Sequence, residues 1–238
     1  MGTLARKQQP IKNLEDTFDW MSERYEGQTR RVSWGGYPRW LHRLASVIAA
    51  QSPATVVDIG CGPGVLLREL AKRLPESQLT GVDQSHDMLS HLPNSITRHH
   101  SDLESFASTH RNTFDTAVMS FILRDLPDAK HGVTQATQLL RPGGHLVILE
   151  THTPKGWRAP GFRLYFHHIL PWWGDHSLTK DWPGAPDAAP YRWLARTHRQ
   201  WDRGQALPQW MREAGLIKLQ SHSRPNEVIM MWSGQLPS

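Results

Sequence analysis

The run Thr55-Val56-Val57-Asp58-Ile59-Gly60-Cys61-Gly62-Pro63-Gly64 decides how this chain is read. Apolar residues flank a single acid and give way to glycines at every second position. That pattern reads as a buried strand ending in a tight turn. The next stretch, 64–74, has helical apolar spacing, so the turn opens a helix. Twenty-five residues after Asp58 a second apolar strand, Leu79-Thr80-Gly81-Val82, also ends in an acid, Asp83. Glycines let a backbone approach a ligand closely and adopt positive φ. An acid at the tip of the following strand is placed to accept both hydroxyls of a ribose. Strand, glycine turn, helix and acid together describe a nucleoside pocket.

The spacing separates two kinds of cofactor. A dinucleotide site uses G-x-G-x-x-G, so that a helix N-terminus faces a pyrophosphate. Here the glycines run Gly60-x-Gly62-x-Gly64, led by Asp58. An acid beside the loop repels a pyrophosphate and suits a ligand bearing an ammonium or sulfonium. S-adenosylmethionine (SAM) has both, with a ribose and no phosphate. The string D-x-G-x-G-x-G resembles motif I of the class I SAM-dependent methyltransferases.

Outside this region the bulk numbers narrow the field. A chain of 238 residues is long enough for one α/β domain with an appendage. Its only cysteine, Cys61, rules out an internal disulfide and fits a reducing, cytoplasmic setting. There is no apolar run of membrane-spanning length, and the first 19 residues lack the apolar stretch of a signal peptide. The net charge of +5 allows nucleic acid or an anionic membrane as partner. The cations are scattered, with no run longer than Arg30-Arg31, so no nucleic-acid partner is expected.

Regular alternation of strands (55–59, 79–83, 96–99, 114–119, 145–150) with helices (64–74, 86–92, 130–140) predicts an α/β fold. It is a Rossmann-like, doubly wound, mostly parallel sheet. Two more strands, 216–222 and 227–233, bring the total to seven. Residues 1–12 read as a flexible N-terminus and 13–238 as one domain. Two amphipathic helices, 13–25 and 37–50, form its N-terminal cap. Arg141-Pro142-Gly143-Gly144 reads as a helix stop and turn before the fifth strand. Residues 151–203 read as a substrate-side insertion rich in proline and aromatics, with a short helix at 161–170. Helices follow at 190–202 and 205–214.

Ligands of such sheets lie beyond the carboxyl ends of the strands. The first end carries Asp58 and the glycines, the second Asp83. After the third come Asp102, suited to an adenine amine or to a helix N-cap, and Leu103, suited to the ring face. The fourth ends at Ser120-Phe121-Ile122-Leu123-Arg124-Asp125, where Ser120 is assigned to the cofactor. The fifth ends at Glu150-Thr151-His152. The pairs His99-His100 and His167-His168 do not read as a metal site, because neighbours on a strand face opposite ways.

A narrower resemblance spans nearly the whole chain. Ser120-Phe-Ile-Leu-Arg124-Asp125 resembles the S-F-G-L-R-N segment of the ubiquinone/menaquinone-biosynthesis C-methyltransferases. Leu139-Leu-Arg-Pro-Gly-Gly-His-Leu-Val-Ile-Leu-Glu150 is similar to their L-K-P-G-G-x-L-x-x-L-E. His168-Ile-Leu-Pro171-Trp-Trp-Gly174 resembles H-x-L-P-x-x-G, and Tyr191-Arg-Trp-Leu194 resembles Y-R-Y-L. Met21-Ser-Glu-Arg-Tyr25 is similar to A-x-x-Y-D, and Trp210-Met-Arg-Glu-Ala-Gly215-Leu to the family's last helix-to-strand step. Three positions depart from the pattern: Asp125 for asparagine, Leu67 for a hydroxyl residue, and Glu26 for aspartate.

The resemblance implies a SAM-dependent enzyme that methylates a carbon of a prenylated quinol. It implies that Arg124 sits beside the acceptor ring, to stabilise a phenolate or polarise a water. Asp125 stands with it on the acceptor side as a further catalytic candidate; the pair forms, alternatively, a structural bridge. His152 and His168 are candidate bases or simply hydrogen-bonded loop histidines. Tyr25 either caps the bound ligands or packs as a core aromatic. Trp172 and Trp173 line a pocket, rest on a membrane or pack the insertion. Peripheral membrane contact and a homodimer are left open. O-, N- or C-methylation in secondary metabolism, and a SAM-binding protein without transfer, are the competing readings.

Overall fold

The computed structural model describes residues 14–186, 189–203, 206–224 and 226–238, so the stretch expected to be flexible, 1–12, lies outside the described residues. Strands form at β1 (Thr55–Ile59), β2 (Gln78–Asp83), β3 (Thr97–His100), β4 (Phe114–Ser120), β5 (Leu140–Thr151), β6 (Ile217–Ser221) and β7 (Ile229–Gln235). They make one sheet in the order β3-β2-β1-β4-β5-β7-β6. The first five are mutually parallel, and β7 runs antiparallel to both β5 and β6. Strand order reverses between β1 and β4, which places a ligand crevice at their carboxyl ends.

Alternation along the strands sorts the core onto two faces. Val56, Val118, Val147 and Leu149 pack with α3 (Gly36–Ala49), α4 (Val65–Arg73) and Leu89 of α5 (His86–Ser90). Val57, Ile59, Ala117, Met119 and Ile148 pack on the opposite face. There they meet α6 (Leu103–Thr109), α7 (Ala129–Gln138) and α11 (Leu207–Glu213). Residues 56–59 of the strand expected to be buried are buried, and the sheet is doubly wound as expected.

Three details differ from the sequence reading. Arg141 to Gly144 is not a turn before β5 but an irregularity within it, where the register to β4 shifts between Phe114 and Thr116. A helix, α2 (Tyr25–Val32), follows α1 (Leu14–Met21) where none was expected. The insertion helix is longer than 161–170. It runs as α8 (Arg158–Leu164), a π-helical turn (Tyr165–Ile169), α9 (Leu170–Trp173) and a second π turn (Gly174–Leu178).

The prolines that suggested interruption are accommodated. Pro160 lies in the first turn, where its missing N–H is not needed. Pro171 has no N–H to donate to the carbonyl of His167, and that carbonyl accepts from Arg199 Nη2 at 3.0 Å. The long helix α10 (Pro190–Arg203) packs behind this run.

Candidate active site

The glycine turn is built where β1 leaves the sheet. Gly60 N–H and Cys61 N–H both donate to Val82 O, at 2.8 and 3.1 Å, which ties the turn to β2. Gly60, Gly62 and Gly64 all take left-handed φ, +66°, +53° and +76°. A Cβ on Gly60 would meet Ile122 at 2.3 Å, whereas at Gly62 it would point into open space. The backbone at Gly62 is therefore bare toward a ligand. Gly62 N–H donates to Asp83 Oδ2 at 2.8 Å and Ser85 N–H to Oδ1 at 2.9 Å.

A cavity opens beyond these strand ends. Gly60, Gly62, Asp83, Leu103, Ser120 and Tyr25 line it, as do Asp125 and Phe121. Glu15 and Phe18 of α1 close it from above, and Ser85 is bonded to Asp19 of that helix. Gly64 lies outside the lining and N-caps α4.

Asp58 is also outside the lining, fully buried, with neither carboxylate oxygen hydrogen-bonded. Burial pushes its pKa well above the usual carboxylate range, and the nearby Asp83 pushes it further. Burial raises Asp83 as well, opposed by the N–H groups of Ser85 and Gly62. A buried acid without a partner, next to a second acid and beneath bare glycine backbone, is the environment a cationic ligand compensates. The residues fit SAM.

Asp102 requires correction. Its Oδ1 accepts from Ser105 N–H and its Oδ2 from Ser105 Oγ, both at 2.8 Å, so the carboxylate caps α6. Asp102 does not line the cavity; Ser101 and Leu103, on either side, do.

A second pocket adjoins the first and shares Tyr25 and Phe121 with it. Its walls are aromatic and aliphatic: Tyr37, Trp40, Phe162, Phe166 and Leu170 among them, with Trp34 at the rim. Among the described residues, Arg124 is the one charged group in the wall. Arg124 sits in a short 3-10 turn (Leu123–Asp125), buried, with Nη1 bonded to Glu150 Oε1 and Nη2 3.9 Å from Asp125. Burial alone would favour losing its proton, but Glu150 and Asp125 hold it more firmly protonated than usual. Glu150 is fully buried, raised by that burial against the pull of Arg124, and its Oε1 also accepts from Thr151 N–H at 2.7 Å.

Asp125 was placed on the acceptor side by the sequence. It lines the first cavity instead, and its Oδ1 accepts from Trp193 Nε1 at 3.1 Å. The Arg124–Asp125 bridge exists, but Glu150 is the closer partner. Tyr25 borders both pockets, and burial raises its hydroxyl to about 12, with Arg124 opposing.

His168 is corrected too. It is exposed on the insertion helix and lines neither pocket. His152 is half-buried, also outside both linings, with its pKa lowered by burial. The histidine behind the aromatic wall is His198. It packs on Phe162 and Phe166 and lies 3.2 Å from His167, and burial lowers its pKa to about 3. Sequence reasoning missed Glu150 as an anchor, although its place at a strand end was visible. It also missed His198, which carries no local signal at all.

Of the three departures, Leu67 is a buried core residue and Glu26 bonds Arg68 at 2.6 Å. Neither lines a pocket.

A doubly wound seven-stranded sheet, a glycine turn under a buried acid and an adjoining aromatic pocket define a class I SAM-dependent methyltransferase. The chain belongs to the ubiE/COQ5 methyltransferase family, whose model matches residues 5–235. It is 30% identical over 240 residues to the demethylmenaquinone methyltransferase of Desulfitobacterium hafniense (strain Y51), covering 94% of this chain and 90% of that protein. The demethylmenaquinone methyltransferase of Bacillus cereus (strain B4264) is 26% identical, covering 90% and 91%.

Among solved structures, the plantazolicin methyltransferase BpumL in complex with SAH has a TM-score of 0.56 at 15% identity, covering 92% of this chain and 94% of that one. Human N-acetylserotonin methyltransferase in complex with SAM has a TM-score of 0.57 at 13% identity, covering 95% and 61%. These likenesses show the fold.

Proposed function

We propose that this enzyme transfers a methyl group to a ring carbon of a quinol of the menaquinone or ubiquinone type. One observation carries the reading: Arg124, buried against Glu150, is the single charge in an aromatic pocket that shares two walls with the cofactor cavity. The names of the relatives point to the same acceptor.

Bound SAM supplies an electrophilic methyl group on a sulfonium. The chain does the rest. Tyr25 and Phe121 divide the two cavities and hold an acceptor ring edge toward the donor, away from water. A ring carbon becomes nucleophilic as its hydroxyl gives its proton to a water polarised by Arg124, and after transfer that carbon gives up its ring hydrogen as a proton to water, restoring the aromatic quinol. The Arg124 guanidinium stabilises the resulting phenolate oxygen, and Glu150 and Asp125 fix that guanidinium in place. Tyr25, raised to about 12, stays a phenol at neutral pH and orients the ring rather than acting as a base. Glu15, Gly60, Gly62, Asp83, Leu103 and Ser120 bind the donor.

Incubation with deuterated-methyl SAM and a demethylmenaquinol, read by mass spectrometry, should place label in the quinol. Arg124→Ala should lower kcat/KM by about 10²–10³-fold. Arg124→Met with Glu150→Leu removes the charge without leaving a lone buried acid, and should lose activity while keeping the fold. An unlabelled quinol despite calorimetric SAM binding would overturn the acceptor.

A further inference from the structure

The insertion helix has two unlike stripes. Phe162, Phe166 and Leu170 face inward. On the other side Trp157, Leu164, His168 and Trp172 recur at intervals of seven, four and four residues, and all are exposed. Trp157 is 81% exposed, Leu164 57% and Trp172 65%. Trp34, 80% exposed, stands beside Tyr165 with ring centroids 6.3 Å apart, at the rim of the acceptor pocket. Large apolar side chains left in water around a pocket mouth mark an interaction surface.

Charge identifies the partner. Residues 27–57 and 151–174 contain no acid. Around the exposed tryptophans stand Arg30, Arg31, Lys155, Arg158 and Arg163, all exposed. Amphipathic aromatics flanked by these cations, with the acids that border the two segments, Glu26 and Asp175, each paired with an arginine (Arg68 and Arg192), match an anionic lipid headgroup layer over a hydrocarbon interior.

We propose that this face docks on an anionic bilayer, with Trp157, Leu164 and Trp172 entering the headgroup boundary and the mouth of the acceptor pocket turned to the lipid. The inference extends the acceptor reading above: a prenylated ring dissolved in the membrane enters the pocket past Trp34 without crossing water. His168 then lies on the docking stripe, which accounts for its distance from the chemistry.

Flotation of the full chain with phosphatidylcholine vesicles, with and without phosphatidylglycerol, tests the surface without methyl transfer. The wild type should float with the phosphatidylglycerol vesicles. Trp157→Ser with Trp172→Ser should weaken that binding by about tenfold. Arg158→Gln with Arg163→Gln should weaken it similarly, and added salt should mimic them. Both double variants should keep their SAM affinity, since none of these residues lines a pocket. Equal binding to vesicles of phosphatidylcholine alone, or unchanged binding by the tryptophan variant, overturns the proposal. So does a dimer in sedimentation velocity that the tryptophan variant abolishes, which would assign the face to a second copy. Normal label in a quinol with no vesicle binding would sink this proposal and leave the acceptor reading standing.

Discussion

Asp58 shows what a single residue of this site costs and contributes. It is buried with both oxygens unpartnered and its pKa well above the carboxylate range. The folded protein therefore binds this proton more tightly than the unfolded chain. Stability of the ligand-free protein should fall as pH rises from the usual carboxylate range through the raised pKa. Asp58→Asn keeps the shape and removes the charge. It should raise the melting temperature of the ligand-free protein by about 2–4 °C at neutral pH. It should also weaken SAM binding by about tenfold to a hundredfold. Calorimetric titration and thermal unfolding read the two effects, and a variant that binds SAM normally would remove Asp58 from the site. The glycine turn and its acid were legible because backbone geometry dictates both, yet Gly60 and Gly62 line the cavity while Asp58 and Gly64 lie outside its lining. It misplaced His168 because spacing says which residues share a stripe, not which stripe faces inward.

At the scale of elements, the close passage at Gly144 in β5 invites a direct test. A Cβ there would meet Arg141 O at 2.9 Å, Asp115 O at 3.0 Å and Phe114 O at 3.2 Å. All three are backbone atoms that cannot rotate away. Gly144→Ala should destabilise the fold by about 1–3 kcal/mol in urea unfolding. A neutral substitution would show that the irregularity is loosely held. Strands were legible because buried parallel strands read as continuous apolar runs. α2 was not, because its sequence Tyr25-Glu-Gly-Gln-Thr-Arg-Arg-Val32 offers only its two end residues, Tyr25 and Val32, as large apolar groups and its buried residue is Gln28. α6 was announced by its cap, Asp102, but a carboxylate at a strand end suits a ligand as well as a helix. The insertion helix was underestimated because Pro160 and Pro171 look like breakers until a first-turn position and Arg199 make room for them.

At the scale of the whole molecule, the N-terminal helices roof both pockets and are pinned from far along the chain. Gln28 Nε2 donates to Leu178 O at 2.8 Å, and Tyr191 donates to Gln28 Oε1 at 3.1 Å. Arg24 pairs with Asp181, and the Tyr165 hydroxyl donates to Val32 O at 2.8 Å. Gln28→Ala leaves a carbonyl and a hydroxyl without partners and should cost about 1–3 kcal/mol. Because one roof covers both pockets, it should raise the SAM Kd and the acceptor KM together. A change in one alone would separate the two pockets mechanically.

These clasps join residues 133 to 163 positions apart. Helices α1 and α2 leave the ribosome before the segments that clasp them and are thus seated after those segments. Their partners between 165 and 191 must be synthesised and folded before the roof closes. The sheet can form around an open site, and competence to bind both ligands arrives as a late folding event.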